Sequence, residues 1–174
     1  MQSNFDQCLE WLLEHEGGYV NHPKDPGGET NLGVTKKVYQ NWCTEQDVFM
    51  KDMKDLTFDD VKPIYKNNYW DRVKGDDLPG GIDWSMFDWA VNSGSATPAR
   101  TLQSILGVTS DGVIGPVTID ALDGKNISNI ISRIYIKRQV FYESLNSFDT
   151  FGAGWSKRNQ HTRDQALTLI PNLQ

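Results

Sequence analysis

No stretch of this chain approaches the run of about 20 apolar residues that a membrane-spanning helix needs, so stable membrane insertion is not expected. Cysteine is scarce: Cys8 and Cys43 form neither a CxxC pair nor a disulfide framework. Two reduced thiols in a chain folded in a reducing cytosol is the ordinary outcome. Histidine is scarce too. His15-Glu16 lacks the second histidine of an HExxH helix, and with only His22 and His161 besides, no Cys/His cluster has ligand spacing. No metal or other cofactor is implied. A basic field is also missing, because the net charge is −6, which argues against a nucleic-acid partner. Gly94-Ser95-Ala96 is no nucleophile elbow, and no glycine loop leads into a lysine and a hydroxyl residue to cradle phosphate. The segment Met1 to Asp6 lacks the basic start and apolar run of a secretory signal. The expectation is a soluble chain that its own sequence does not export.

What remains is an ordinary globular composition. The 174 residues suffice for one domain, or one domain with two lobes, around a real core. Hydrophobic residues make up 38% and charged residues 23%, with six tryptophans. The spacing predicts an amphipathic helix from Asn4 to about Glu16, capped by Ser3 or Asn4 and stopped by left-handed Gly17-Gly18. Tyr19 to Thr35 is rich in glycine and proline and reads as a shaped loop holding a short β-ribbon. A helix starts near Thr57, with Asp60 at its third position and Pro63 as a kink or a later start. Further helices are predicted over 81–92, 98–106, 117–122, 127–145 (the longest) and 155–169. Strand signals are few. The fold class is mainly α with a small β element.

On the first helix, Phe5, Leu9 and Leu12 form a core-facing stripe, and four residues on comes Glu16. At roughly 100° per residue Glu16 lies within about 40° of that stripe, whereas Glu10 and Glu14 point away. Partial burial and the negative end of the helix dipole both disfavour a charged carboxylate there. A carboxyl group that keeps its proton is what glycosidic cleavage needs to protonate the departing sugar oxygen. The loop after it offers a second carboxylate, Asp25, and two hydroxyls, Thr30 and Thr35. Its glycines and prolines let the backbone fold back, with Asp25 across a cleft from Glu16.

The run Glu16-Gly17-Gly18-Tyr19 through Asp25-Pro26-Gly27-Gly28-Glu29-Thr30-Asn31-Leu32-Gly33-Val34-Thr35 resembles the catalytic motif of the glycoside hydrolase family 108 muramidases of phage endolysins and related bacterial proteins. Glu16 matches that family's general acid. The spacing is also similar to the Glu, Asp, Thr constellation of other phage lysozymes, which leaves Thr30 and Thr35 both open as the threonine. Ile64-Tyr65 with Tyr69-Trp70-Asp71, Leu78-Pro79 and Phe87-Asp88-Trp89 through Asn92-Ser93-Gly94 look like family segments as well, most of their aromatics being core. Leu102-Gln103, Asp111-Gly112-Val113-Ile114-Gly115-Pro116, Thr118 and Phe151 to Trp155 with Arg158 resemble the peptidoglycan-binding module that accompanies the family.

The resemblance implies a lysozyme-like, two-lobed fold, with a catalytic lobe over 1–96 and a peptidoglycan-binding-like helical lobe over 97–174 packed on it. It implies a monomeric endolysin hydrolysing the β-1,4 bond between N-acetylmuramic acid and N-acetylglucosamine in peptidoglycan strands. Glu16 would be the acid. Asp25 would stabilise the oxocarbenium-like state or activate water, helped by Thr30 or Thr35. Tyr19, Asn31, Asn92 and Trp155 are the candidate sugar contacts. Such an enzyme stays in the host cytoplasm until a pore made by another protein admits it to the wall. The rival readings are a lytic transglycosylase, which cuts the same bond without a nucleophilic water, and a non-catalytic wall-binding protein.

Overall fold

The computed structural model describes residues 4–21 and 28–171. In chain order the elements are α1 (Phe5–His15), β1 (Thr30–Asn31), β2 (Val34–Thr35), α2 (Lys36–Gln46), α3 (Phe58–Tyr65), α4 (Ile82–Ser93), α5 (Ala96–Leu106), α6 (Pro116–Asp120), α7 (Ile127–Glu143) and α8 (Phe148–Thr168). The chain is mainly α, as its periodicity implies. It divides into two compact units: residues 6–68, and residues 69–174 together with 1–5.

In the unit of residues 6–68, the predicted stripe of α1 is buried: Leu9 and Leu12 are fully enclosed, with Cys8 beside them. Cys8 and Cys43 are both buried cysteines. The end of α1 differs from expectation. Neither Gly17 nor Gly18 takes a positive φ; the Glu16 N–H instead donates to the Leu13 carbonyl at 3.2 Å, a tight turn that closes the helix without a left-handed residue. The β-ribbon expected in the loop is the β1–β2 hairpin, with Thr30 opposite Thr35 and Asn31 opposite Val34. Val20 adds an isolated bridge to Thr30.

Helix α2 has no counterpart in the expected element order. Its interior buries only Tyr39 and Cys43, four residues apart, so it shows a two-residue stripe on an otherwise polar segment. Helix α3 begins where its cap signals place it: the Asp60 carboxylate accepts from the Thr57 N–H at 2.9 Å and the Thr57 hydroxyl at 2.7 Å. Pro63 sits inside α3 without delaying its start. The bond it forgoes would have gone to the Asp59 carbonyl, and Asp59 and Pro63 are both exposed.

In the other unit, α4 packs against α5, α7 and α8, and every residue from Gly81 to Ala90 is buried. Its Asp88 is fully enclosed and ion-paired at 2.7 Å to Arg138 of α7 and at 2.7 Å to Arg158 of α8. Thr162 donates to the same carboxylate at 3.1 Å. Burial pushes Asp88 up, but the two guanidinium groups outweigh it and hold the carboxyl below its ordinary range. The motif residues around Gln103 are a structural staple. The buried Gln103 amide donates to Asp111 at 2.7 Å, to the Val113 carbonyl at 3.0 Å and to Thr118 at 3.2 Å. Its oxygen accepts from the Gly112 N–H at 2.9 Å. One glutamine thus fastens the loop between α5 and α6.

Helix α8 starts at Phe148, earlier than the expected 155, and its 21 residues exceed the 17 of α7. Gly152 and Gly154 lie inside it. A Cβ on buried Gly152 would stand 2.6 Å from the Phe148 ring, so this glycine exists to let that ring lie against the helix. Among the described residues, no helix is long and apolar enough to cross a membrane.

Candidate active site

Glu16 follows directly on the last residue of α1 and is half-buried. The β1–β2 hairpin comes against it through its two-residue turn, Leu32-Gly33. Both turn residues have positive φ, 49° and 73°, as a type I′ hairpin turn requires. Glycine accepts that geometry freely, but leucine does not, so Leu32 carries backbone strain on the order of 1–3 kcal/mol. The Tyr65 hydroxyl, from the end of α3, donates to the Leu32 carbonyl at 2.9 Å and pins the strained turn in place.

Gly33 shows how closely these groups converge. A Cβ there would lie 3.0 Å from Oε2 of Glu16 and 3.2 Å from its Cδ, and would overlap the Tyr65 hydroxyl. The acid, the tyrosine and the turn therefore meet at one backbone atom that has to be a glycine. Neither Tyr65 nor Gly33 is a site residue by the sequence reading. Tyr65 reads only as a core aromatic, and the usual Asn-Gly turn signal is masked by Leu32.

The two threonines are cross-strand partners. Their side chains therefore project to the same face of the hairpin, and Asn31 and Val34 project to the other. Thr30 is held from both sides, since Val20 and Thr30 exchange backbone bonds of 2.8 and 2.9 Å. Its hydroxyl makes no hydrogen bond among the described residues. Thr35 instead caps α2, accepting from the Val38 N–H at 3.4 Å. Asn31 is buried, and its amide donates to the Met53 carbonyl at 2.7 Å. Asp25 lies outside the described residues.

Tyr19 belongs to a charged group at the base of the hairpin. Its hydroxyl donates to Glu29 at 2.9 Å, and Glu29 also pairs with Lys36. Lys54 lies over the Tyr19 ring, 5.4 Å from its centroid. The bonds from Lys36 and Tyr19 hold Glu29 below the ordinary carboxylate range. Glu29 thus stays ionised on a site-bearing hairpin, a carboxylate that sequence reasoning passed over because it follows a turn.

The remaining two candidates belong to the other unit. Asn92, on α4, is exposed and donates its amide to the Asp88 carbonyl at 2.8 Å. Trp155, on α8, is half-buried, its ring centroid 5.4 Å from Tyr142 and 5.8 Å from Phe151. Phe151 is 56% exposed, so this aromatic row reaches the surface. The described residues hold no group of three His, Cys, Asp or Glu placed to bind a metal ion.

A half-buried carboxyl at a helix end, set against a β-hairpin in a mainly α, lysozyme-like fold, is the architecture of a carbohydrate-cleaving enzyme. Residues 9–94 match the family model of glycosyl hydrolase 108, and residues 97–160 match that of a predicted peptidoglycan domain. The solved structure of Brucella abortus SagA is 38% identical and superposes with a TM-score of 0.82, over 98% of this chain and 97% of that one. No curated protein matches the chain. The chain belongs to the glycosyl hydrolase 108 family, and it is a glycoside hydrolase acting on peptidoglycan.

Proposed function

We propose that the enzyme is a lysozyme-type N-acetylmuramidase that cleaves the β-1,4 bond between N-acetylmuramic acid and N-acetylglucosamine. Glu16 donates its proton to the bridging oxygen as the bond breaks. The observation that carries this reading is the convergence of the half-buried Glu16 carboxyl and the Tyr65 hydroxyl on the Gly33 turn, which sets a proton donor beside a turn that Tyr65 fastens. Asp25 stabilises the oxocarbenium-like state or activates the water. Thr30 is the better placed threonine to hold that water, since Thr35 already caps a helix. A carboxyl separation near 5 Å makes the route retaining, and roughly 6.5–9.5 Å makes it inverting.

On this reading residues 1–96 carry the chemistry and residues 97–174 engage the wall, with Tyr19, Asn92 and Trp155 touching sugar and the buried Asn31 holding the hairpin to the Met53 carbonyl. The biological role is that of a monomeric phage-type endolysin. It is held in the host cytoplasm until a pore made by another protein releases it to the wall, and lysis follows.

The test is digestion of purified peptidoglycan by wild type and Glu16→Gln, with fragments identified by mass spectrometry. Reducing muramic-acid ends from wild type, lost by about 10²–10⁴-fold in the variant at unchanged melting temperature, support the reading. Anhydro ends would make the enzyme a lytic transglycosylase. Wall binding by both proteins with no fragments from either would leave a binding protein only.

A further inference from the structure

On α7, Arg133, Ile136, Lys137, Val140 and Phe141 recur at intervals of three and one, so they form a single stripe along the helix. With Thr101 of α5 and Ser144, this stripe lines an open groove of about 520 Å³. Ile136 and Val140 are 56% and 60% exposed, which is unusual for adjacent aliphatic residues on one helix face. Arg133 and Lys137 make no ion pair or hydrogen bond among the described residues. Among the described residues no carboxylate lines the groove, although the chain as a whole carries a net charge of −6. Arg133 also borders a smaller hollow of about 130 Å³ together with Lys125, Asn126 and Asn129. An acidic protein has thus collected cations, small apolar surfaces and hydroxyls in one trough.

We propose that this groove binds the acidic stem peptides of peptidoglycan, so that residues 97–160 read the peptide of the wall and not only its sugar. The inference rests on the wall-directed reading above and adds the component recognised. Three observations select this occupant. Every residue lining the groove falls within the match to the predicted peptidoglycan domain. From Arg133 to Ser144 the helix rises about 16 Å at 1.5 Å per residue, the span of about four to five extended residues, which is the length of a stem peptide. Finally, a stem peptide alternates methyl side chains with free carboxylates. Ile136, Val140 and Phe141 offer apolar surface to the methyls, Arg133 and Lys137 take the carboxylates, and the Thr101 and Ser144 hydroxyls serve the peptide amides.

The test compares a soluble disaccharide carrying its tetrapeptide with the same disaccharide stripped of peptide, titrated by calorimetry into the full chain. Wild type should bind the peptide-bearing ligand roughly tenfold more tightly, with an advantage that shrinks as salt rises. Arg133→Gln with Lys137→Gln, both on the exposed face, should erase that advantage while leaving melting temperature and cleavage of peptide-free glycan unchanged. Equal affinity of wild type for the two ligands overturns the proposal, as does an undiminished advantage in the double variant. If wild type prefers the peptide-bearing ligand yet cuts no glycan, the groove stands and the muramidase reading falls. If it cuts glycan without that preference, the groove falls alone.

Discussion

The unit of residues 6–68 and the helical unit of residues 69–174 with 1–5 differ in the contacts that stand at their centres. In the first, the decisive contacts involve backbone: a left-handed Leu32, a glycine that tolerates no Cβ, and a tyrosine hydroxyl bonded to a turn carbonyl. In the second, the decisive contacts are between buried charges, with Asp88 enclosed between Arg138 and Arg158. Backbone strain places a group within tenths of an ångström but contributes no stability. A buried ion pair locks helices in register and is costly to break. The difference suggests that precision has been concentrated around Glu16 and cohesion around Asp88. A further consequence is that Asp88, inside the match to glycosyl hydrolase 108, is bonded to arginines inside the match to the peptidoglycan domain. The helix that ends the first family segment is built into the core of the second.

The sharpest test of this division is Asp88→Ala. It strands Arg138, only 1% exposed, without its counter-charge, and the expected loss is about 3–5 kcal/mol in urea unfolding. Glycan cleavage per folded molecule should persist. A variant that melts like wild type but has lost activity would mean that Asp88 serves the chemistry, and the comparison would collapse.

Gly33→Ala should do the reverse. The added methyl meets the ends of two flexible side chains, so the overlap is relieved by moving the Glu16 carboxyl or the Tyr65 hydroxyl. A displacement on the order of 1 Å costs about 10²-fold in rate. Gly124→Ala is the control, because Gly124 has a similar φ of 67° with nothing within 4 Å of its Cβ position. It should share the backbone cost and keep activity. Equal activity in the two variants would remove the special status of the Gly33 contact.

Tyr65→Phe should have a milder effect. It deletes the bond to the Leu32 carbonyl, worth about 1 kcal/mol, and releases a strained turn beside the acid. With Glu16 as the proposed acid, Tyr65 acts on it through the turn, so kcat should fall by about tenfold with KM little changed. A rise in KM alone would assign the hydroxyl to substrate binding.

These residues also mark how far the sequence could be read. The α1 stripe and the place of Glu16 at its end were legible, because helical periodicity is a local property that burial reproduces directly. So was the Thr57–Asp60 cap of α3, a pattern four residues long. Helix α2 escaped because only Tyr39 and Cys43 bury along its interior. The start of α8 was misplaced because its glycines suit a break equally well, and the Phe148 ring over Gly152 is a packing fact. Asn31 reads as a candidate sugar contact, yet its buried amide is bonded to a carbonyl 22 residues away. The role of Tyr65 depends on a partner 33 residues away. What was missed is long-range pairing, which one sequence does not display.

The smallest effect, and the one that probes the helical unit from within, concerns Asp83. It lies five residues before Asp88 on α4 and is equally enclosed, but its partners are neutral: the Asn4 amide at 2.8 Å and the N–H groups of Gly81 and Trp84, each at 2.7 Å. Burial pushes Asp83 up, and these bonds only partly offset it; Asp88, facing two guanidinium groups, goes down. Their linkage to stability therefore has opposite sign. The contribution of Asp88 is present above the unfolded-state pKa and is lost as pH falls through its depressed folded value. Raised Asp83 binds its proton more tightly when folded, so it favours the fold below the unfolded-state pKa, and that advantage disappears as pH rises through the folded value. Asp83→Asn keeps an oxygen for the two N–H groups, and Asn4 can turn its own oxygen toward the new amide. Near neutral pH the variant should match or slightly exceed wild type in urea unfolding. Between the unfolded and folded pKa values of Asp83, wild type should lose stability with rising pH more steeply than the variant. Parallel pH profiles for the two proteins would mean that Asp83 stays ionised in its neutral cage, and the contrast between the two buried aspartates would then rest on geometry alone.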